Sequence, residues 1–350
     1  MVLTIPHDLS ALPLAAHTRD RPVPHFEDWI CHMHSAVNRL NIGIIGAGRV
    51  GAVLGAALVT AGHRVVAAVG VSTASKSRAE QLLPGVALLP ADQVAASADL
   101  VLLAVPDDVL AGLVNGLVET RALRPGQIVA HTSGAHGLAV LAPVTTVGAR
   151  PLALHPAMTF TGTAVDLQRL AEGVSFGVTA PDGLRDLASS LVADLGGQVE
   201  WIAEERRPLY HAALAHGANH LATLVNEALD RLRDAGVQRP EQVLAPLLGA
   251  ALDNSLRLGD AAITGPVSRG DAGTVAKHLQ ALESVAPESV PPYLALARRT
   301  ADRVIAAGRL RAMDAEPLLD VLGTTHPQPV IAAPRGSRRR AKGSGTGGKP

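Results

Sequence analysis

The sequence predicts an α/β protein whose first part forms a doubly wound parallel sheet and whose second part is all helical. Three observations predict this fold class. Short apolar segments alternate with helical segments from residue 39 to residue 203, a glycine-rich turn follows the first apolar segment, and only helical periodicity remains after residue 204. Strands that alternate with helices are typical of a parallel sheet covered by helices on both faces.

Each expected strand is a short apolar segment that ends at a turn. The expected strands are Leu40–Ile45, Arg64–Val71, Asp99–Val105, Gln127–Ala130, Ala149–Leu154, Val174–Thr179 and Gln198–Ile202. The run that ends at Val105 is stopped by Pro106, as expected for a strand buried on both faces. The expected helices are Val50–Ala61 and Gly183–Leu195, followed in the second part by Pro208–Asp234, Pro240–Leu258, Gly270–Leu282 and Pro291–Ala307.

The predicted domains are residues 39–203, which contain the sheet, and residues 204–328, which are helical. Residues 1–38 mix Pro, His and Asp without periodicity, so we expect a disordered extension. Residues 329–350 are rich in Gly, Ser and Arg and are expected to form a basic disordered tail.

Composition excludes several classes of function. The chain has 31 basic and 31 acidic residues, and this balance argues against a general nucleic-acid-binding protein. The apolar segments are too short for a membrane helix. The single cysteine, Cys31, excludes an internal disulfide and a cysteine-rich metal site, which favours a cytoplasmic protein.

The glycine-rich turn has the spacing GxGxxG and lies between the first strand and the first helix. Gly46 permits the tight turn, Gly48 lets a pyrophosphate approach the backbone, and Gly51 lets the helix pack closely on the strand. The N–H groups at the start of the helix, beginning with Arg49 and Val50, would meet the phosphate charge. The motif therefore predicts a Rossmann-type dinucleotide-binding domain, and a glycine-rich packing turn is the alternative.

The end of the second strand indicates which dinucleotide binds. A site for NAD would place Asp or Glu there to hold the ribose hydroxyl, whereas this segment offers Ser72, Thr73, Lys76 and Arg78 before its first acid at Glu80. Hydroxyls and cations suit a 2′-phosphate. The predicted cofactor is NADP(H).

Further candidates follow the carboxyl ends of later strands, where ligands bind in open α/β sheets. Val105, Pro106 and Ser133 are expected to contact the cofactor. His131 and His155 are candidate proton donors, and Thr159 is a candidate for substrate binding. The alternative for each histidine is a hydrogen bond to a backbone carbonyl that stabilises its loop. Asp107 or Asp108 is expected to cap the helix that follows.

The helical part adds a second group of polar candidates. His211 and Asn219 lie on one face of its first helix and are candidate catalytic residues. Arg269, Asp271 and His278, in and after a loop dense in special residues, are candidates for binding the substrate, with helix capping as the alternative for Asp271. The sequence shows no set of ligands for a metal site.

These motifs together resemble a known family. GAGRVG, ADLVLLAVPD, HTSG, LHPAMTF, YHAALAHGAN, TGPVSRGD and TVAKHL are similar to segments of bacterial Rossmann-like proteins with a C-terminal domain of unknown function, which share their plan with the 6-phosphogluconate dehydrogenase superfamily. The resemblance covers about residues 39–325. It implies an NADP-dependent oxidoreductase that forms a homodimer through its helical domain.

One departure from this superfamily bears on the reaction. Several of its dehydrogenases use a lysine four residues before an Asn on the first helix of the second domain, and here Ala215 precedes Asn219 at that spacing. The proton must therefore come from another group, for which His131, His155 and His211 are the candidates. The sequence supports a reductase that acts on a C=O or C=N bond of a small substrate, such as a ketopantoate-like acid or an imine. The alternative is a non-catalytic sensor that binds NADP(H).

Overall fold

The structure is a computed structural model that describes residues 39–323. The predictions for residues 1–38 and 329–350 lie outside the described residues. The chain divides into two compact units, one that ends at Leu214 and one that begins at Ala215. The division falls after the predicted boundary at residue 204, because the first helix of the predicted second domain packs within the first unit.

The first unit contains one sheet of eight strands. In chain order the strands are β1 Asn41–Ile45, β2 Arg64–Val69, β3 Ala87–Leu88, β4 Leu100–Leu103, β5 Ile128–His131, β6 Arg150–Pro156, β7 Ser175–Thr179 and β8 Gln198–Trp201. They lie side by side in the order β3-β2-β1-β4-β5-β6-β7-β8. The predicted α/β fold class is confirmed.

The direction of the last two strands differs from the expectation. The neighbours from β3 to β6 are parallel, but β7 runs antiparallel to β6, with His155 opposite Gly177, and β8 is parallel to β7. The prediction rested on apolar segments, and these report burial rather than strand direction. An antiparallel strand at this position therefore has the same sequence pattern as a parallel one.

Helices cover both faces of the sheet. The helices of the first unit are α1 Arg49–Thr60, α2 Thr73–Leu82, α3 Ala91–Ser97, α4 Asp107–Glu119, α5 Ala142–Thr145, α6 Ala164–Ala171, α7 Arg185–Asp194 and α8 Arg207–Leu214. Ile42 and Ile44 pack on the face that carries α1, α2, α6 and α7, whereas Ile45 packs on the face that carries α3, α4 and α5. This alternation follows from the two-residue period of a strand.

The second unit is helical, as the sequence predicts. A π-helical turn at Ala215–Asn219 precedes α9 His220–Asp234, α10 Pro240–Leu258, α11 Ala272–Val285, α12 Val290–Ala306 and α13 Ala312–Gly323. Its core consists of apolar side chains from α11, α12 and α13. Helices α2, α3, α5, α6 and α13 and the two-residue strand β3 were not predicted. Across residues 39–323, no helix has both the length and the hydropathy needed to span a bilayer.

Substitution of Gly51 tests the packing of α1 on the sheet. An ideal Cβ at this position would collide with the Gly46 carbonyl oxygen and lie 2.9 Å from Ala104 Cβ. We expect Gly51→Ala to lower the free energy of unfolding by about 1–3 kcal/mol, because the backbone must move. Urea denaturation measures this change.

Gly112→Ala is the matched control, since Gly112 is an exposed residue of α4 with no described atom within 4 Å of its ideal Cβ. Alanine there should stabilise the protein by about 0.5–1 kcal/mol. Equal effects of the two substitutions would contradict the packing described for α1.

Candidate active site

The candidate site lies at one edge of the sheet. Strands β1, β4, β5 and β6 are parallel neighbours, so their carboxyl ends meet at the same edge. The Gly46 turn, Val105, the loop after His131, and His155 all lie there. Ligands of open α/β proteins bind at this edge.

The glycine turn has the geometry that a pyrophosphate requires. Gly46 has a φ of +105°, and a Cβ there would collide with the Ala104 carbonyl oxygen. In the described residues, no atom lies within 4 Å of an ideal Cβ on Gly48, and no side chain caps the start of α1. Open space and free N–H groups therefore face the same point, which fits a phosphate.

Cationic and hydroxyl side chains lie after β2, as predicted. Ser72 caps α2 by accepting a hydrogen bond from the Ser75 N–H at 3.1 Å, and Thr73 and Lys76 are exposed on the first turns. The Arg78 side chain lies beside Gly162, which is also close to Arg49. This donor set fits a 2′-phosphate, because it brings positive charge and hydroxyl groups to the end of β2.

His131 is held by two backbone hydrogen bonds. Its Nδ1 accepts from the Ser133 N–H at 3.1 Å, and its Nε2 lies 2.7 Å from the Gly137 carbonyl oxygen. Because Nδ1 accepts, Nε2 carries the proton and donates it to Gly137. Burial lowers the pKa of His131 to about 4. The structure thus favours the loop-stabilising alternative for this histidine.

Glu204 stabilises the same loop from the other side. Its carboxylate accepts hydrogen bonds from the Leu138 N–H at 2.6 Å and the Ala139 N–H at 3.0 Å. A Cβ on Gly137 would collide with that carboxylate, so only glycine fits. The loop after β5 is consequently fixed at both ends.

His155 is the centre of a different cluster. Its Nδ1 lies 2.9 Å from the Tyr210 hydroxyl, and its ring meets that of His211 edge-on at 6.1 Å between centroids. An ideal Cβ on Gly134 would lie 2.9 Å from His155 Nε2 and 2.6 Å from His211 Cδ2, so glycine leaves room for both rings. Burial and then the charge of Arg207 lower the pKa of His155 to about 4.

Arg207 is fully buried beneath this cluster. Its guanidinium donates to Thr179 Oγ1 at 2.8 Å and to the carbonyl oxygens of Gly177 at 2.9 Å, Ser133 at 3.3 Å and Ala153 at 3.4 Å. The acceptors are three backbone carbonyls and one hydroxyl. The positive charge therefore remains in the site and acts on the histidines above it.

The structure corrects the prediction for the cap of α4. Pro106 occupies the cap position, and Asp107 and Asp108 lie in the first turn of the helix. Asp107 still acts on the site, because its negative charge opposes part of the lowering of the pKa values of His131 and His155.

The other predicted residues of the first unit take different surroundings. The Ser133 hydroxyl accepts from the His136 N–H at 3.1 Å, and Thr159 is exposed. Val50 is half-buried in the first turn of α1. None of these contacts prevents the predicted roles, which stay predictions.

The remaining predicted residues belong to the second unit. Asn219 and Arg269 are exposed, and Asp271 caps α11 by accepting from the Thr274 N–H at 3.0 Å, which favours the capping alternative. His278 Nδ1 lies 2.9 Å from the Tyr293 hydroxyl. This pair lines a mainly apolar cavity of about 450 Å³ within the helical unit. Within residues 39–323, no three His, Cys, Asp or Glu side chains are grouped to hold a metal ion.

Sequence reasoning missed Arg207, Tyr210, Gly134 and Asp166. The first three reach the site through contacts between distant segments, so no local pattern marks them. Tyr210 had one weak signal, its position next to His211. Asp166 lies three residues after Thr163, and this spacing of a hydroxyl and an acid indicates a capping box.

The two buried histidines predict a pH dependence of stability. The unfolded chain takes up protons near pH 6.5, whereas His131 and His155 in the folded chain take them up only near pH 4. The free energy of unfolding should keep its full value above about pH 6.5. It should fall by about 1.4 kcal/mol per pH unit for each histidine as the pH drops toward 4. Urea denaturation across this range measures the slope.

Replacement of one buried histidine isolates its contribution. His131→Asn should reduce the slope, and His216→Asn, at an exposed histidine, should leave it unchanged. Identical slopes in His131→Asn and the parent protein would contradict the burial of His131 as the cause.

Comparison with known proteins finds a matching domain family for each of two segments of the chain. Residues 31–156 match the family model of a Rossmann-like domain, and residues 174–300 match that of a domain of unknown function, DUF2520. No curated protein matches the chain.

Solved structures share the fold. A Bacteroides fragilis protein, provisionally named an NADP oxidoreductase, is 23% identical over 75% of this chain and 98% of its own, with a TM-score of 0.64. A Thermotoga maritima protein is 19% identical over 75% and 98%, with a TM-score of 0.53. A Plasmodium falciparum pyrroline carboxylate reductase, solved with NADP bound, is 12% identical over 81% and 100%, with a TM-score of 0.51. By its two family models, the chain combines a Rossmann-like domain with a C-terminal DUF2520 domain, the two domains that its motifs predict.

Proposed function

We propose that the protein is an NADP(H)-dependent oxidoreductase that reduces a C=O or C=N bond of a small substrate. One observation carries this proposal: His155, held by Tyr210, stands at the same edge of the sheet as the open turn at Gly48. A dinucleotide and a proton-donating group can therefore act on one substrate. The similarity to solved structures named for NADP supports the cofactor.

The first unit would hold the cofactor. The backbone at Gly46, Gly48 and Gly51 and the start of α1 would bind the pyrophosphate, and Arg49, Lys76 and Arg78 the 2′-phosphate. Val105, Pro106 and Ser133 would line the nicotinamide. When bound, NADPH supplies the hydride for the reduction.

His155 would donate a hydrogen bond to the oxygen or nitrogen atom of the bond that is reduced. We assign the tautomer in which the Tyr210 hydroxyl donates the hydrogen bond to His155 Nδ1, over 2.9 Å. His155 then carries its own proton on Nε2, the nitrogen beside Gly134. With a pKa of about 4, the ring is neutral near pH 7 and acts through this N–H.

The remaining candidates have supporting roles in this proposal. His131 orients the loop after β5, and His211 lines the space beside His155. The catalytic role predicted for Asn219 and the substrate-binding roles predicted for Arg269 and His278 stay predictions, with a ketopantoate-like acid and an imine as the substrate types to be tested. The single cysteine in the chain supports a cytoplasmic location.

A sensor that binds NADP(H) without turnover is the second candidate. Ala215 stands where related dehydrogenases have a catalytic lysine, and this observation favours it. Measured turnover separates the two functions, because a sensor would bind NADPH and oxidise it with none of the offered substrates.

We also propose that the protein is a homodimer formed through the helical unit. Within the described residues, α9 buries none of its side chains and α10 buries only Pro240 and Leu244. Leu247, Leu252 and Leu256 on α10 are all more than half exposed. Exposed apolar surface of this extent is typical of an interface, and a second copy is the usual partner.

The reductase function is tested by NADPH oxidation with a panel of 2-oxo acids and cyclic imines. We expect turnover of at least one compound, and His155→Ala should lower kcat by about 100- to 1,000-fold, since it removes the N–H group that donates to the reacting atom. Tyr210→Phe should lower kcat less, because the imidazole remains. The dissociation constant of NADPH, measured by fluorescence, should change by less than about twofold in both variants.

The exposed His216 provides the control, and His216→Ala should leave kcat unchanged. Full turnover in His155→Ala would remove His155 from the mechanism. Tight NADPH binding without turnover of any compound would instead support the sensor.

The dimer is tested by light scattering after gel filtration. We expect a mass of twice 36.0 kDa for the intact chain. The double variant Leu252→Asp/Leu256→Asp should shift toward the monomer, because it places charge in the interface. Val59→Asp, at a similarly exposed apolar residue of the first unit, should remain dimeric. A monomeric parent chain would refute the proposal.

A further inference from the structure

We infer that the loop between β6 and α6 is a specificity element for the 2′-phosphate. Gly162 in this loop positions Arg78, and Asp166 in α6 holds the loop in place. The inference rests on the proposed binding of NADP(H). It concerns residues that lie more than 80 positions after Arg78 in the chain and that no cofactor motif includes.

Gly162 forms the contact with Arg78. It is buried, has a φ of +81°, and its ideal Cβ would lie 2.5 Å from Arg78 Nε and 2.7 Å from Arg78 Cδ. The same Cβ would lie 3.1 Å from Arg49 Cα, at the first residue of α1. The backbone at Gly162 therefore packs directly on the stem of Arg78, and a side chain at position 162 would displace it.

Asp166 fixes the conformation of this loop. Its fully buried carboxylate accepts from the N–H groups of Thr161 at 2.8 Å, Gly162 at 2.7 Å and Thr163 at 3.4 Å, and from the Thr161 hydroxyl at 3.0 Å. Burial alone would raise the pKa of Asp166, but these hydrogen bonds outweigh it and hold the pKa below its usual range. The loop has little freedom to move away from Arg78.

The contact is located where the 2′-phosphate is recognised. Arg78 belongs to α2, the helix that follows β2, and the end of β2 faces the ribose in this fold. Arg49 begins α1, which starts at the glycine turn. Gly162 thus lies beside the Arg78 side chain and the Arg49 backbone, two of the cationic residues proposed to bind the 2′-phosphate.

The consequence is preorganisation of Arg78. A free arginine side chain loses much rotamer freedom when it binds a phosphate, and this cost weakens binding. An arginine already packed against Gly162 incurs most of that cost during folding. The loop should therefore strengthen the binding of ligands with a 2′-phosphate and leave other ligands unaffected.

The test is a double-mutant cycle on Gly162 and Arg78, read by calorimetry. The probes are NADPH and NADH, and adenosine 2′,5′-bisphosphate and AMP, which lack the nicotinamide. Arg78→Ala should weaken NADPH binding by about 10- to 100-fold, the range for a charge-assisted hydrogen bond. Gly162→Ala should weaken it by about 5- to 10-fold, and NADH binding should change by less than about twofold in either variant.

Coupling distinguishes positioning from simple damage to the loop. In the Arg78→Ala background, Gly162→Ala should have no further effect on NADPH binding, because its target is gone. Asp166→Asn disrupts the loop in a second way and should also weaken the binding of NADPH more than that of NADH. Gly173→Ala is the matched control. Gly173 follows the end of α6, has a φ of +96°, and has no described atom within 4 Å of its ideal Cβ.

Each outcome decides one question. Additive effects in the cycle, or equal weakening of NADPH and NADH, would overturn the inference and leave the proposed cofactor intact. If the parent chain binds NADH more tightly than NADPH, or binds neither nucleotide, both the inference and the proposed cofactor are overturned. Normal melting temperatures with a selective loss of the phosphorylated ligands would support the positioning role.

Discussion

The candidate site depends on the hydrogen bonds that the guanidinium of Arg207 donates. It is fully buried and donates to carbonyl oxygens in three segments: the loop after β5, strand β6 and strand β7. Ala153 on β6 and Gly177 on β7 thus present their carbonyls to the same side chain. A buried cation without partners costs several kcal/mol, so these bonds tie the start of α8 to the sheet. Tyr210 and His211, one turn further along α8, are placed as a result.

Burial and the charge of Arg207 together set the protonation state of the two histidines. After burial, Arg207 is the largest influence that lowers the pKa of His155, and it also lowers that of His131. Both rings are therefore neutral near pH 7. Burial raises the pKa of Tyr210, so its hydroxyl also keeps its proton. The site holds neutral donors above a fixed cation, an arrangement that stabilises negative charge developing on a carbonyl oxygen.

Local patterns predicted the positions of the glycine turn and of the cations after β2. The turn at Gly46 and the cations after β2 follow from consecutive residues, because glycine geometry and strand ends are local properties. The reactive half could not be predicted in the same way. Tyr210 and His155 are 55 residues apart in the chain, and Arg207, which precedes Tyr210 on α8, bonds to β6 and β7, the pair whose antiparallel direction was not predicted. Apolar periodicity reports burial and not strand direction, so it predicted the fold class but not this junction.

Asp166 and Arg207 act in corresponding ways in the two halves of the site. Each is a fully buried charge satisfied mainly by backbone groups, and each orients another side chain rather than facing the open edge of the sheet. Asp166 holds the loop that packs on Arg78, and Arg207 holds the helix that carries Tyr210. The hydrogen-bond partners of Asp166 and those of Arg207 are different residues, so the geometry of each half of the site is fixed by its own network.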